Sequence, residues 1–390
     1  MVYLHLRRRL LPVFMLLTIG GITYAQPSLR LKYKKSQVYT GIEVGSKGVK
    51  MSLVEVNRDQ TTSEFNILKD TSSNTDFISF TPETFTATLN AFAGLYRTAN
   101  KVYNIPAERI FTVVSSGVKI QAVKFDKNDW ISRLIDSFRV AINEPARVVD
   151  VVNTEEEARL SHIGIIPAAK RYNTFLIDIG SGNTKGGYFP NGNLTDFKLF
   201  QLSWGTKSTA NAAEKRIEGE KTISAFNKQL YRVLAGSAND EIVYAINVSG
   251  AYNMSDNIAF SGGIAWSVAT LISPELIENP VIPVTYPDVE KFYDRILKNY
   301  NSLSETEIVK KLADPAVNRE LVQKQVKTVN KVFDQQSLLA GTGLLLKVMR
   351  QFEGIYEKKQ FFLVKNGQVG WVSAYVDQVL SAETTRAKSN

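Results

Sequence analysis

The sequence contains one local pattern twice: an apolar strand ending in an acidic residue, a glycine turn, and an outgoing strand. In the first copy, Glu43 precedes the turn 45–48, and in the second Asp178 precedes the turn 180–183. Glycine allows a tight turn and lets backbone N–H groups approach phosphate oxygens closely. A single turn of this kind is typical of an ordinary hairpin, but two at corresponding positions indicate an internal duplication.

The chain length supports two lobes. It has 390 residues, whereas a single core usually stops growing near about 250–300 residues. Alternating strand and helix patterns predict an α/β protein, with helices at 82–103 and 129–140 and a closing hairpin at 361–376. We expect an N-terminal lobe at 26–170, a C-terminal lobe at 171–378 and a polar tail at 379–390.

The first 25 residues have the pattern of a secretory signal peptide. Three arginines, Arg7 to Arg9, precede an apolar stretch from Leu10 to Ile22, and small residues end the segment at Ala25. The apolar stretch is shorter than the roughly 20 residues that a membrane-spanning helix needs. We expect cleavage after Ala25, export to the periplasm and no stable membrane insertion afterwards. An uncleaved N-terminal membrane anchor is the alternative.

Charge and composition limit the classes of ligand and the catalytic groups that we expect. The net charge of +9 suits an anionic ligand but is explained equally well by solubility. The sequence has no zinc-ligand spacing and no basic stretch interleaved with aromatic residues, so nucleic acid is not an expected partner. Its two histidines are His5, in the leader, and His162. Catalysis would therefore depend on carboxylates with a metal ion.

Three further segments lie where a predicted strand meets a helix, the usual ligand-binding position in α/β proteins. They contain Ser116, Gly117 and Lys119, then Glu155 to Glu157, and then Gly262 and Gly263. Thr154 is expected to cap its helix, with Glu157 completing a capping box. The glutamates are also explained by the helix dipole alone, and Lys119 by simple solvation.

The order of these segments resembles the family of exopolyphosphatases and guanosine pentaphosphate phosphohydrolases, in its short form and with divergent residues. That family is part of the actin-like ATPase superfamily. The resemblance spans nearly the whole mature chain, through 41–46, 114–119, 155–160, 177–184, 260–265 and 367–370. It implies a two-lobed, actin-like (ribonuclease H-like) α/β fold with a mixed five-stranded sheet and flanking helices in each lobe.

The resemblance also implies roles for individual residues. Glu157, with Glu156 as the neighbouring candidate, would activate water, and Asp178 would help position it. Glu43 and Asp178 would hold Mg²⁺. Residues that would bind the substrate are Gly45, Ser46, Lys47, Ser116, Gly117, Lys119, Gly180, Ser181, Gly182, Asn183, Thr184, Gly262 and Gly263. The implied function is release of terminal phosphate from inorganic polyphosphate, and a homodimer is consistent with the family.

One departure from the family pattern opens a second hypothesis. Lys185 stands where the family has a glutamate, which reverses the charge beside the expected metal ion. Glu43 replaces the usual aspartate and keeps its charge. The alternative is therefore a non-catalytic protein of the same fold that binds a polyanion or a nucleotide, or a scaffold for an unrelated partner.

Overall fold

The computed structural model describes residues 29–57, 65–190, 192–251, 255–354 and 358–365, together with 367, 370, 371, 374–376 and 378. The expected leader at 1–25 and tail at 379–390 lie outside the described residues, so both stay predictions. Among the described helices, none is long and apolar enough to cross a membrane.

The first sheet has five strands in the order β3-β2-β1-β4-β5. β1, β2 and β3 form an antiparallel meander, and β4 and β5 continue the sheet in parallel with β1. Its strands are β1 Ser36–Val44, β2 Gly48–Asn57, β3 Phe65–Asn74, β4 Ile110–Val114 and β5 Asp150–Val151. The helices of this half are α1 Pro82–Arg97, α2 Ser116–Lys124, α3 Asn128–Ile142 and α4 Thr154–Ile165.

The second sheet has six strands, in the order β10-β11-β9-β6-β7-β8. They are β6 Thr174–Ile179, β7 Thr184–Tyr188, β8 Lys198–Leu202, β9 Asn257–Ser261, β10 Val281–Val284 and β11 Gln360–Val364. Its helices are α5 Thr206–Glu214, α6 Ile223–Ala235, α7 Ser237–Ser249, α8 Gly263–Ile272, α9 Tyr286–Lys298, α10 Glu305–Lys311, α11 Arg319–Val332 and α12 Gln335–Glu353. The expected five strands are extended by β10, which pairs antiparallel with β11.

The two sheets repeat the same topology, which confirms the two-lobed α/β fold. An antiparallel meander leads into parallel strands in both, with β6, β7, β8, β9 and β11 in the places of β1 to β5. The register repeats as well, because Glu43 is paired with Lys50 across β1 and β2, and Asp178 with Lys185 across β6 and β7. The acidic end of each central strand therefore faces a lysine of its neighbour.

Each sheet is covered by helices that bury an apolar stripe. In α3 the buried residues Ile131, Leu134 and Phe138 recur at helical spacing. Phe138 stacks on Phe92 of α1 with ring centroids 3.7 Å apart. A larger core around Phe175 and Phe260 fills the second half. These cores hold the strand ends, and thus the glycine turns, in fixed positions.

The chain passes between the sheets at α4 and again near residue 370. Trp371 and Tyr375 are helical and pack with Val113 and Leu160, so the end of the described chain lies on the first sheet. The prediction of a hairpin at 361–376 is therefore wrong. Among the described residues of this range only those of β11 form a strand, and the partners of β11 are β9 and β10.

Candidate functional site

A cavity of about 530 Å³ lies between the two sheets. Its lining combines the acidic strand ends, both glycine turns and the start of α8. Thirteen of the residues predicted from the sequence line it: Glu43, Gly45, Ser46, Lys47, Gly117, Glu157, Asp178, Gly180, Ser181, Gly182, Asn183, Gly262 and Gly263. The fold thus brings together segments that are separated by as many as 220 positions in the sequence.

Four predicted residues lie outside the cavity lining. Lys119 is exposed on α2, and the Thr184 hydroxyl is buried, donating to the carbonyl oxygen of Trp204 at 2.7 Å. Glu156 is half-buried and accepts a hydrogen bond from the side chain of Gln378 at 3.5 Å. Ser116 is buried and acts through its backbone N–H, which holds Glu157.

Glu157 lies in the first turn of α4 but does not complete the expected capping box. The cap of α4 is Asn153, whose side chain accepts from the backbone N–H of Glu156 at 2.8 Å, and Thr154 is the first helical residue. The carboxylate of Glu157 instead turns into the cavity, where its Oε2 accepts the backbone N–H of Ser116 at 2.7 Å. The side chain is 1% exposed. The Glu157 carboxylate therefore binds residues that are distant in sequence instead of completing a capping box within its own helix.

Lys185 bridges the two carboxylates that the sequence assigns to catalysis. Its Nζ lies 2.9 Å from Oε1 of Glu157 and 2.9 Å from Oδ2 of Asp178. Burial alone would lower the pKa of Lys185, but the charges of Asp178 and then Glu157 outweigh burial and raise that pKa. Burial would raise the pKa of Asp178. The charge of Lys185 and the hydrogen bonds from Lys185 and Ser261 outweigh burial and hold that pKa below its ordinary value. The shifted pKa values of Asp178 and Lys185 therefore both favour the charged form.

Glu43 occupies the corresponding strand end of the first sheet. Its Oε2 accepts a hydrogen bond from Nε1 of Trp371 at 3.2 Å. Burial raises the pKa of Glu43 above its ordinary value; Lys50 acts in the opposite sense, and the nearby Glu157 adds to the rise. Of the carboxylates at the strand ends, Glu43 is thus the one that most readily takes up a proton.

The loops of the two lobes touch at the base of the cavity. A Cβ added to Gly182 would lie 2.5 Å from the hydroxyl of Ser46, and one added to Gly117 would lie 2.7 Å from Oδ1 of Asn183. Nε2 of Gln121 also donates to the carbonyl oxygen of Gly182 at 2.6 Å. A side chain at either position would have to displace the side chain of Ser46 or Asn183 in the other lobe.

Several lysines that the sequence did not single out also line the cavity. Six lysines and four acidic residues contribute to the lining, so positive charge is in excess. The lysines beyond Lys47 and Lys185 are Lys50, Lys207, Lys324 and Lys365. Lys50 had a signal in the sequence, since it follows Glu43 by the spacing that separates Asp178 from Lys185. The other three come from segments that only the tertiary fold brings to the cavity.

The residues present do not fit the expected Mg²⁺ site at Glu43 and Asp178. No group of three or more histidine, cysteine, aspartate or glutamate side chains is arranged to hold a metal ion within the described part of the chain. Asp178 and Glu157 each direct an oxygen at the Lys185 ammonium instead. The lysine predicted to disfavour the metal ion thus lies between two of the carboxylates.

No protein-family model and no curated protein sequence matches this chain. Solved structures do resemble it over most of its length. The Aquifex aeolicus member of the Ppx/GppA family is 14% identical, with a TM-score of 0.57, and the match covers 89% of this chain and 99% of that one. An exopolyphosphatase-like protein is also 14% identical, with a TM-score of 0.59, and the match covers 89% of this chain and 100% of that one. An exopolyphosphatase from Cytophaga hutchinsonii is 12% identical, with a TM-score of 0.53, and the match covers 88% of this chain and 98% of that one. This chain therefore has the two-lobed fold of the Ppx/GppA exopolyphosphatase structures.

Proposed function

We propose that this protein binds inorganic polyphosphate, or a similar phosphate chain, in the cavity between its two sheets. The observation that carries the proposal is the composition of that cavity: two glycine turns face it from opposite lobes, and six lysines line it. Lysine is an effective point charge for phosphate oxygens. A cavity with excess positive charge also raises the local concentration of a polyanion.

A phosphate chain fits the lining better than a nucleotide does. Two of the aromatic rings at the cavity are already engaged by protein groups. Phe333 lies under the Lys47 ammonium, 4.5 Å from ring centroid to Nζ, and Trp371 donates its indole N–H to Glu43. A base that stacked on either of these rings would have to displace its contact, which leaves Trp266 as the third aromatic side chain in the lining, whereas phosphates need only the cations and backbone donors.

Hydrolysis of the chain is the second candidate function, and the position of Glu157 favours it. A water molecule at the cavity-facing carboxylate could attack the terminal phosphorus, with Glu157 taking its proton as the P–O–P bond breaks. Oε1 and Oε2 of Glu157 each already accept one hydrogen bond, however, from Lys185 and Ser116. The described residues contain no ligand set that matches a metal-assisted route, so we place binding before hydrolysis.

The proposal includes export, which rests on the leader pattern at 1–25. Export would separate the protein from cytoplasmic nucleotides, which favours inorganic polyphosphate over a nucleotide as the ligand. The N-terminal anchor is the alternative, and a homodimer is part of the proposal only by resemblance to the family. Fractionation of cells expressing the full chain, with detection of a cleaved or uncleaved N-terminus, tests the location.

The binding test uses purified residues 26–390 and long-chain polyphosphate in a calorimetric titration, with phosphate release measured on the same samples. We expect binding without release. Lys324→Gln should weaken binding about tenfold, since a hydrogen bond to a charged group contributes about 1.5–3 kcal/mol. Lys327→Gln is the matched control, because it removes the same charge from the same helix at an exposed position outside the lining.

The outcomes separate the candidates. Equal weakening by both lysine variants would place the ligand outside the cavity. Release of phosphate that Glu157→Gln abolishes would establish hydrolysis as the function. A chain that neither binds nor cleaves polyphosphate would overturn both candidates.

A further inference from the structure

We infer that the Lys185 ammonium is the permanent cation of this site and takes the position that a divalent metal ion would otherwise occupy. Its Nζ is 2.9 Å from an oxygen of Asp178 and 2.9 Å from an oxygen of Glu157. Asp178 lies near the end of β6 and Glu157 lies in the first turn of α4, and both residues line the cavity. An ammonium that bridges them offsets one negative charge at the place where a divalent metal ion would offset two.

The sheet register fixes this lysine in place. Lys185 lies directly opposite Asp178 in the antiparallel pairing of β6 and β7, so its side chain starts beside the carboxylate that it neutralises. The side chain is only 6% exposed. If it swung away, two buried carboxylates would lose their shared partner, which is strongly unfavourable for groups removed from water. The ammonium is therefore a built-in part of the site.

The register that places Lys185 opposite Asp178 recurs in the other lobe. Lys50 is paired with Glu43 across β1 and β2, at the equivalent position of the repeated topology. Lys50 also lines the cavity. Both acidic strand ends thus face a lysine of the neighbouring strand, and in the second lobe that lysine is in ion-pair contact with the carboxylate.

This inference predicts metal-free binding of the phosphate chain, and for that part it rests on the proposed function. An entering phosphate would meet the fixed charge of Lys185 at the cavity wall instead of a metal ion. Affinity for polyphosphate should be unchanged when EDTA replaces Mg²⁺. A requirement for Mg²⁺ would overturn the inference while leaving polyphosphate binding itself established.

The direct test does not involve polyphosphate. The wild-type chain, freed of metals with a chelator, is titrated with CaCl₂ and with MnCl₂ by calorimetry. We expect no stoichiometric binding of either ion. One equivalent of Mn²⁺ or Ca²⁺ bound by the wild type, and lost in Asp178→Asn, would overturn the inference. This measurement needs no variant in which Lys185 is removed.

Removing the ammonium should create a metal site. In Lys185→Ser, the oxygens of Asp178 and Glu157 would face an open position with Glu43 nearby. Ca²⁺ binds oxygen at about 2.3–2.6 Å and Mg²⁺ at about 2.0–2.1 Å. The present N–O distances of 2.9 Å are closer to the Ca²⁺ range. We expect Ca²⁺ affinity at least tenfold above that of the wild type, and a melting temperature that rises with Ca²⁺ only in the variant.

Two controls make that test specific. Lys185→Arg keeps the positive charge and should not gain Ca²⁺ affinity. Lys185→Ser combined with Asp178→Asn loses one donor charge and should lose the gained affinity. A folded Lys185→Ser variant without Ca²⁺ affinity would overturn the inference. If the variant does not fold, the wild-type titration decides. Failure of polyphosphate to bind would overturn only the proposed function, because these titrations contain no phosphate.

Discussion

Lys47 reaches across the cavity from the first glycine turn and donates a hydrogen bond from Nζ to the carbonyl oxygen of Val332, at 2.5 Å. Val332 is the last residue of α11, so its carbonyl lies at the negative end of the helix dipole. Lys207 and Asp76 make a second contact between the lobes, with Nζ and Oδ2 3.4 Å apart. Lysines of both lobes therefore bridge the cavity.

Replacing Lys47 should loosen this contact. Lys47→Met keeps much of the side-chain length but removes the hydrogen bond and the cation above the Phe333 ring. We expect amide exchange at the C-terminal end of α11 to become about tenfold faster, since a hydrogen bond from a charged group contributes about 1.5–3 kcal/mol. Hydrogen exchange with mass spectrometry measures this. Lys331→Met, at an exposed neighbouring position, is the control, and equal exchange in both variants would contradict the bridge.

Glu157→Gln should cost considerably more stability than Glu156→Gln. Glutamine can still accept the Ser116 N–H, but it removes the charge that faces Lys185. Removal of one partner of a buried ion pair costs about 3–5 kcal/mol, and we expect about 2–3 kcal/mol here because Asp178 remains. Glu156 is half-buried, and its change should stay within about 0.5 kcal/mol. Urea denaturation compares the two, and equal midpoints would show that Glu157 is not the buried partner.

Local patterns in the sequence predicted much of the fold. The helix predicted at 82–103 begins at Pro82 as α1, with Thr81 as its cap, and its predicted end at Tyr103 is reached through a π-helical turn at Thr98–Val102. The glycine turns were predictable because glycine and the alternating strands around it act within a few residues. Thirteen of the candidate residues line one cavity, and seven of them come from these two turns.

Tertiary partners decided the features that were not predicted. Glu157 has the spacing of a capping box, yet Ser116 and Lys185, both distant in sequence, bind its carboxylate. The Asn-Gly pair at 366–367 is typical of a hairpin, but β11 pairs with β9 and β10 instead. Lys185 was predicted to oppose the metal ion by charge. Its position between two carboxylates required the register of β6 and β7.

Stability should fall between pH 6.5 and pH 4 because of His162. Its Nε2–H donates to the carbonyl oxygen of Thr174 at 2.9 Å, and its Nδ1 is buried without a hydrogen-bond partner among the described residues. Burial, with Arg171 nearby, lowers the pKa of His162 from 6.5 to about 4. The folded state thus resists a proton that the unfolded state accepts. The stabilisation is complete above pH 6.5 and is lost toward pH 4, by up to about 3 kcal/mol.

Melting temperatures of the wild type and His162→Gln across pH 7.5 to 4 test this prediction. Because carboxylates also titrate near pH 4, the difference between the two proteins is the informative quantity. The variant should be less stable at neutral pH and should approach the wild type as the pH falls. Parallel curves would show that His162 is not the group responsible.

A matched pair of glycine substitutions tests the packing between α4 and the segment near residue 370, the two places where the chain passes between the sheets. A Cβ on Gly164 of α4 would lie 2.0 Å from the carbonyl oxygen of Gly370, whereas a Cβ on Gly94 of α1 would meet nothing within 4 Å. Gly164→Ala should destabilise the protein by about 1–3 kcal/mol, because one backbone must move. Gly94→Ala should stabilise it by about 0.5–1 kcal/mol through helix propensity.

Urea denaturation of both variants, followed by tryptophan fluorescence, measures these opposite shifts. Trp371 lies one residue beyond Gly370 and packs on the first sheet, so Gly164→Ala should also alter the fluorescence of the folded state. Both variants carry the same Gly→Ala change, so the prediction is that their unfolding midpoints shift in opposite directions. A Gly164→Ala variant as stable as Gly94→Ala would mean that α4 and the segment at 370–371 are not in backbone contact.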